Sequence, residues 1–229
     1  MSSLLADLGP LRESASYRRL LLGQSLSLTG SSMTRVAVAV QVYALTGSSL
    51  AVGLVGLATA LPLLVLGLLG GSVADAFDRR RLVLVTSSAL AVCSLILAGQ
   101  ALAGSRLLWL LYLLVAVQSA LNAVQAPASR TFAARLLGPE RQAAVQALGS
   151  LSFQLSLVIG PLLAGVLIAA AGVQAAYALD ALSFAAALWA VRRLAPMVPG
   201  GGGTRAGLRA VVEGLRYMGC EQQRRRIVR

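Results

Sequence analysis

The stretch "GGSVADAFDRRRLVLV", residues 70–85, holds two aspartates and three consecutive arginines between two of the longest apolar runs in the chain. In a soluble protein such a cluster is an ordinary solvated loop. Here charge is scarce. Of the 229 residues 57% are hydrophobic and only 12% are charged, whereas soluble domains carry roughly a quarter charged residues. The composition is that of an integral membrane protein, and the cluster marks a place where the chain re-emerges into water.

A helix needs about 20 mostly apolar residues to cross the hydrocarbon core. Six stretches qualify: roughly 20–45, 50–74, 82–103, 107–128, 146–171 and 175–194. The expected fold is all-α and polytopic, with six transmembrane helices. Residues 1–19 precede them, 20–195 form the helical domain, and 196–229 follow as linker, amphipathic helix and basic tail. The connections alternate in character. "TGSS" (46–49), "GSR" (104–106) and "AGVQ" (171–174) are small and almost uncharged. The opening cluster and "SRTFAARLLGPERQ" (129–142) are rich in arginine.

That alternation sets the expected orientation, because Arg and Lys accumulate on the cytoplasmic side. There is no lysine, and eighteen of the twenty arginines fall on one side of a six-span topology. Arg106 falls outside and Arg35 within the membrane. Both termini are therefore expected in the cytoplasm of a multi-pass protein of the cell membrane. The net charge of +12 reads as a topology signal, aided by anionic lipid headgroups, and not as a nucleic-acid footprint. With no histidine, most zinc sites and Ser-His or Cys-His catalysis are excluded, and no metal or other cofactor is expected. Cys93 lies in an apolar run and Cys220 in the tail, which argues against a structural disulfide.

Orientation explains the arginines of the opening cluster but not Gly71 and Asp75 at their spacing. Here the sequence resembles the major facilitator superfamily, whose signature between helices two and three reads G-x-L-a-D-r-x-G-r-R/K. Gly71, Val73, Asp75, Arg79 and Arg80 match it, while Ala76 replaces the usual arginine and Asp78 the usual second glycine. The resemblance implies a gating latch between the two halves of a transporter. Asp75 would face the positive N-terminus of a helix in the partner half, and Arg79 and Arg80 would hold carboxylates or lipid phosphates. "GPLLAG", with Gly160, Pro161 and Gly165, is similar to the glycine-proline end of a motif typical of the family's exporters. "QVYALTGSSLAVGLVGLA" and "AAYALDALSF" look like the branch holding enterobactin and macrolide exporters.

In that family helices one and four line the central cavity, and both carry polar stripes here. Gln24, Ser27, Ser31 and Arg35 recur down the first span; Gln118, Asn122 and Gln125 do so in the fourth. Arg35 is the sharpest of them. Arginine at the centre of a helix costs about 2.5–3.5 kcal/mol on the insertion scale, so its charge should face water, a carboxylate or an anionic substrate. Asp180 is the one carboxylate well inside a span. It is a possible proton site, although a structural hydrogen bond is the simpler role. Gln146, Ser150 and Gln154 face either the cavity or a partner half.

The superfamily fold has two six-helix halves, each built of two inverted three-helix repeats. This chain supplies one such half. After "MVPGGGG" (197–203), Leu208, Val211, Val212 and Leu215 form one face of an interfacial helix, and a basic tail follows. The expected function is secondary active export of small molecules such as siderophores or drugs, driven by protons as an antiporter. The partners implied are substrate, protons, the bilayer and a second six-helix half, missing from a truncated chain or supplied by a second copy. The alternatives are a non-transporting truncated remnant and a half-size unit active only as a dimer. An ATP-driven exporter would need a G-x-x-x-x-G-K-[ST] loop, which is absent. An intramembrane protease would need a histidine base or paired membrane aspartates, so no enzyme is expected.

Overall fold

The structure, a computed structural model, describes residues 9–76, 78–137 and 139–192, excluding the side chains at 68–76, 79, 128, 130–137 and 139. The described residues form seven α-helices: α1 (Gly9–Glu13), α2 (Ala15–Thr46), α3 (Ser49–Ala76), α4 (Arg79–Leu102), α5 (Leu108–Leu137), α6 (Gln142–Ala171) and α7 (Val173–Arg192). A single 3₁₀ turn, Pro139–Arg141, joins α5 to α6. No strand occurs among the described residues. The expected linker, amphipathic helix and tail at 196–229 lie outside them.

Five helices, α3 to α7, are long and apolar enough to cross a membrane. α2 has the length, at 32 residues, but carries two arginines in its first turns, Arg35 in its body and a run of hydroxyls and amides. That polarity makes α2 less apolar than the other five. The three connections poor in charge are tight turns, and each contains a glycine in the left-handed region: Gly47 (φ 63), Gly104 (φ 62) and Gly172 (φ 81). Gly47 ends α2 with its N–H on the Tyr43 carbonyl at 2.8 Å, a conformation that would strain a residue bearing Cβ.

The arginine-rich connections behave differently. The segment 129–142, expected as a loop, is mostly helix: α5 continues to Leu137. Pro127 lies inside it, yet the Ala, Arg and Leu residues that follow are strong helix formers and carry the helix past the apolar run. In the opening cluster, Asp78 caps α4 by accepting the Arg80 N–H at 2.9 Å. The aspartate in the usual glycine position is thus a helix N-cap.

Helix neighbours follow the order α6–α2–α7–α4–α5–α3, so α7 lies between α2 and α4. Exchanging α2, α3 and α4 with α5, α6 and α7 reproduces that order in reverse. Between lipid-immersed helices burial gives little driving force, so close packing through small residues carries the association. The α2–α7 contact shows it. A Cβ on Gly23 would meet Ala190 Cβ at 3.1 Å and Ala187 Cα at 3.2 Å. One apolar cluster is centred on Met33, Val38, Val42, Leu97, Leu111 and Tyr177, and a second on Tyr17, Leu20, Val83, Val145, Leu148 and Val191. Outside, the surface stays apolar: Leu57, Leu61 and Leu64 on α3, and Val158, Leu162 and Val166 on α6, are all exposed. That is a surface for lipid, not for water.

Candidate functional site

Polar residues on α2 leave the helix on three faces, and each face has its own neighbour. Ser25 and Thr29 face α6. Thr29 Oγ1 donates to Ser156 Oγ at 3.1 Å, and the hydroxyls of Ser25 and Ser152 bond to each other. The same seam holds Gly160, where a Cβ would lie 3.1 Å from the Thr29 carbonyl oxygen and run into the Ser32 side chain. The first glycine of "GPLLAG" is therefore the contact point between α6 and α2. Gly165 meets nothing within 4 Å, and Pro161 is exposed.

Thr34 faces α7. Its hydroxyl donates to Asp180 Oδ2 at 2.7 Å, and Ser94 Oγ of α4 donates to the same oxygen at 2.7 Å. Asp180 is fully buried, and its Oδ1 has no hydrogen-bond partner. This carboxylate ties α2, α4 and α7 together. It does not open onto the cavity described next; Gln118 Nε2 reaches it only through Ser94 Oγ, at 3.2 Å.

The third face carries Gln24, Ser27, Ser31 and Arg35, and it lines a cavity of about 1100 Å³. Opposite, α5 contributes Gln118, Asn122 and Gln125. All seven residues of the two sequence stripes border this one space. Gln146, Ser150 and Gln154 of α6 border it too, which puts their shared face on the cavity. Thr34, Thr59, Ser87 and Ser119 also reach it and carried no sequence signal, because lone hydroxyls in apolar helices commonly bond within their own helix. Gln125 is held by its amide nitrogen on Ser87 Oγ at 3.2 Å. Arg35 is exposed to the cavity, and its guanidinium Nη2 donates to Ser32 Oγ at 2.7 Å. Among the described residues that line the cavity it is the one charged side chain.

The gating cluster divides. Gly71 and Asp75 belong to the last turns of α3 and Arg79 opens α4, but their side chains lie outside the described residues. Arg80 is described, and it bonds within this chain: Nη2 donates to the Arg192 carbonyl at 2.6 Å and Nε to the Val191 carbonyl at 3.4 Å. A cation on the last carbonyls of a helix satisfies orphan acceptors and complements the helix dipole. At this end of the bundle Arg141 also pairs with Glu13 of α1.

A family model described as "Transmembrane secretion effector" matches residues 5–229. The chain is similar to the enterobactin exporter EntS of Citrobacter koseri, 29% identical over 179 residues, covering 78% of this chain and 43% of that protein. It is similar to EntS of Shigella flexneri, 26% identical over 216 residues, covering 94% of this chain and 53% of that protein. It is also similar to the uncharacterized MFS-type transporter YfiS of Bacillus subtilis, 32% identical over 170 residues, covering 72% of this chain and 39% of that protein. The chain spans about half the length of the curated relatives it matches.

Proposed function

The chain belongs to the transmembrane secretion effectors of the major facilitator superfamily, a family of membrane transporters and not of enzymes, and from that premise we propose that it forms one six-helix half of a proton-driven exporter of small molecules. The observation that carries this reading is the cavity. The polar stripes of α2, α5 and α6 converge on it, inside a bundle whose outer surface is apolar. The helix order that survives exchange of the first and last three long helices supports two inverted repeats. Alternating access then requires a second six-helix unit to close the path, with the cluster at 71–80 as the latch between the two. Gly71, Asp75 and Arg79 would act across that contact. Arg80 and Asp78 hold the end of α7 and the start of α4 in place beneath it.

In this reading α2 crosses the membrane with the five more apolar helices, and its polar face is tolerated because it borders the cavity. Both termini and the segments at 75–81 and 129–142 lie in the cytoplasm of a cell-membrane protein. With native cysteines replaced by serine, single cysteines at Gly47, Ser105 and Gly172 are expected to react with an impermeant maleimide added to intact cells. A cysteine at Arg80 should react only after permeabilisation; outside labelling there overturns the orientation.

Transport itself is tested in vesicles, with fluorescent anionic, neutral and cationic substrates and an imposed pH gradient. The chain alone is expected to insert and move none of them, because it supplies one wall of the path. Co-reconstitution with the C-terminal half of a relative should restore gradient-driven efflux of at least one. Efflux by the monomeric chain overturns the half-transporter reading. Efflux only by a crosslinkable dimer favours the half-size unit, and none under any condition favours the non-transporting form.

A further inference from the structure

We propose that the cavity is selective for organic anions, and that the Arg35 guanidinium takes the anionic oxygens of the bound molecule. The inference rests on the transporter reading and names the substrate class of its site. A charge within a membrane helix is retained only where something compensates it. Arg35 is exposed to the cavity, bonds the neutral Ser32 hydroxyl at 2.7 Å, and makes no ion pair among the described residues. The nearest membrane carboxylate, Asp180, attracts Arg35 through space but gives it no hydrogen bond. Its Oδ2 accepts Thr34 and Ser94, and Oδ1 is packed against Gly30. Asp180 therefore leaves the guanidinium's remaining donors to whatever enters the cavity.

The rest of the lining sets what that is. Gln24, Gln118, Asn122 and Gln125 are amides, each both donor and acceptor, and they recognise polar groups of either sign. No carboxylate faces the space among the described residues, and the one exposed ring that lines it is Phe153. A cation would find neither a counter-ion nor an aromatic cage, and it would meet Arg35 across a low-dielectric gap. A guanidinium matches the two oxygens of a carboxylate, or the paired oxygens of a phosphate or sulfonate, in bidentate geometry. At about 1100 Å³ the space is at the upper end of ligand pockets and far larger than an inorganic ion needs.

The test uses two dyes with a common xanthene core and opposite charge, carboxyfluorescein and rhodamine 6G. Their fluorescence anisotropy is followed on the purified 229-residue chain in phosphatidylcholine nanodiscs. Carboxyfluorescein is expected to bind saturably and at least about tenfold more tightly than rhodamine 6G, with Arg35→Gln erasing that preference and Arg35→Lys keeping most of it. The basic tail is common to all three proteins, so differences between them isolate residue 35. Arg35→Gln removes a charge from the membrane and should insert as well as the parent, which size-exclusion and circular dichroism check. No saturable anion binding, equal binding to Arg35→Gln, or equal affinity for the cation each overturn the proposal. So does displacement of the dye in phosphatidylglycerol discs, which would give the site to a lipid headgroup. Loss of anion binding on adding the second six-helix half would give it to a carboxylate there, with the same result. Arg35-dependent binding without gradient-driven efflux even beside a second six-helix half would leave the anion site standing and sink the transporter reading; efflux of cations alone by that pair would do the reverse.

Discussion

Gly30→Val is expected to collapse the α2–α7 crossing and, with it, the folded bundle. An added Cβ would lie 3.1 Å from Asp180 Cα and would run into the Asp180 carboxylate and the Ser183 hydroxyl. The first of these is backbone, so relief requires α7 to move as a body. α7 has nowhere to go. It is packed on its other side against α4, and Gly23 and Ala190 hold it to α2 two turns away. The carboxylate has no freedom either, because Thr34 and Ser94 grip its other oxygen from two helices. Two valine methyls beyond the Cβ make the overlap worse. Overpacking costs about 1–3 kcal/mol in a core that yields, and this one yields less, so a loss above about 3 kcal/mol is expected. Gly53 of α3 provides the control, since a Cβ there meets nothing within 4 Å. Thermal unfolding followed by size-exclusion in detergent should show Gly53→Val unchanged and Gly30→Val aggregated or melting far lower. A Gly30→Val protein as stable as the parent would mean that this crossing is wrongly placed.

That crossing was illegible in the sequence, and the reason is physical. Gly30 and Asp180 stand 150 residues apart, and only tertiary contact reveals that one supplies the room the other occupies. Hydrophobic runs locate helices because each must present an apolar surface to lipid, and each of the six expected spans overlaps one described helix, with the ends differing by a few residues or more. The same lipid-facing chemistry says nothing about which helix meets which, since membrane helices sort by small residues and matched hydrogen bonds. Hence the polar residues of α2 read as one stripe, Gln24 to Arg35, when the helix carries three. The cavity face was legible, because glutamine, asparagine and arginine at helical spacing are costly anywhere else. The faces toward α6 and α7 were not, because serine and threonine also satisfy themselves on their own helix, as Ser25 does on the Leu21 carbonyl at 2.7 Å. The extension of α5 past its apolar run and the capping role of Asp78 were hidden for a related reason. Propensity and caps act at helix ends, where hydropathy is silent.

Asp180 separates a structural carboxylate from a coupling one, and the expected outcome is structural. Asp180→Asn keeps an oxygen where Oδ2 accepts Thr34 and Ser94, and it puts a neutral amide where Oδ1 has no hydrogen-bond partner. It should fold like the parent and, in the proposed exporter joined to a second half, should leave gradient-dependent efflux intact. Asp180→Leu removes the acceptor and places a branched carbon against Gly30. Each cross-helix hydrogen bond in a membrane protein contributes about 0.6–2 kcal/mol, so losing both costs roughly 1–4 kcal/mol before any overpacking is added. Ser94 has a fallback on the Leu90 carbonyl at 3.1 Å, which limits the damage on the α4 side. Gln118 then loses a fixed partner, and the loss reaches the cavity wall through Ser94. Asp180→Leu is accordingly expected to melt well below the parent and to bind carboxyfluorescein more weakly even at temperatures where it stays folded. An Asp180→Asn protein that folds and binds the dye normally but no longer responds to a pH gradient would reverse the assignment: the coupling proton would then sit on this carboxylate, exchanging with the cavity by way of Ser94 and Gln118.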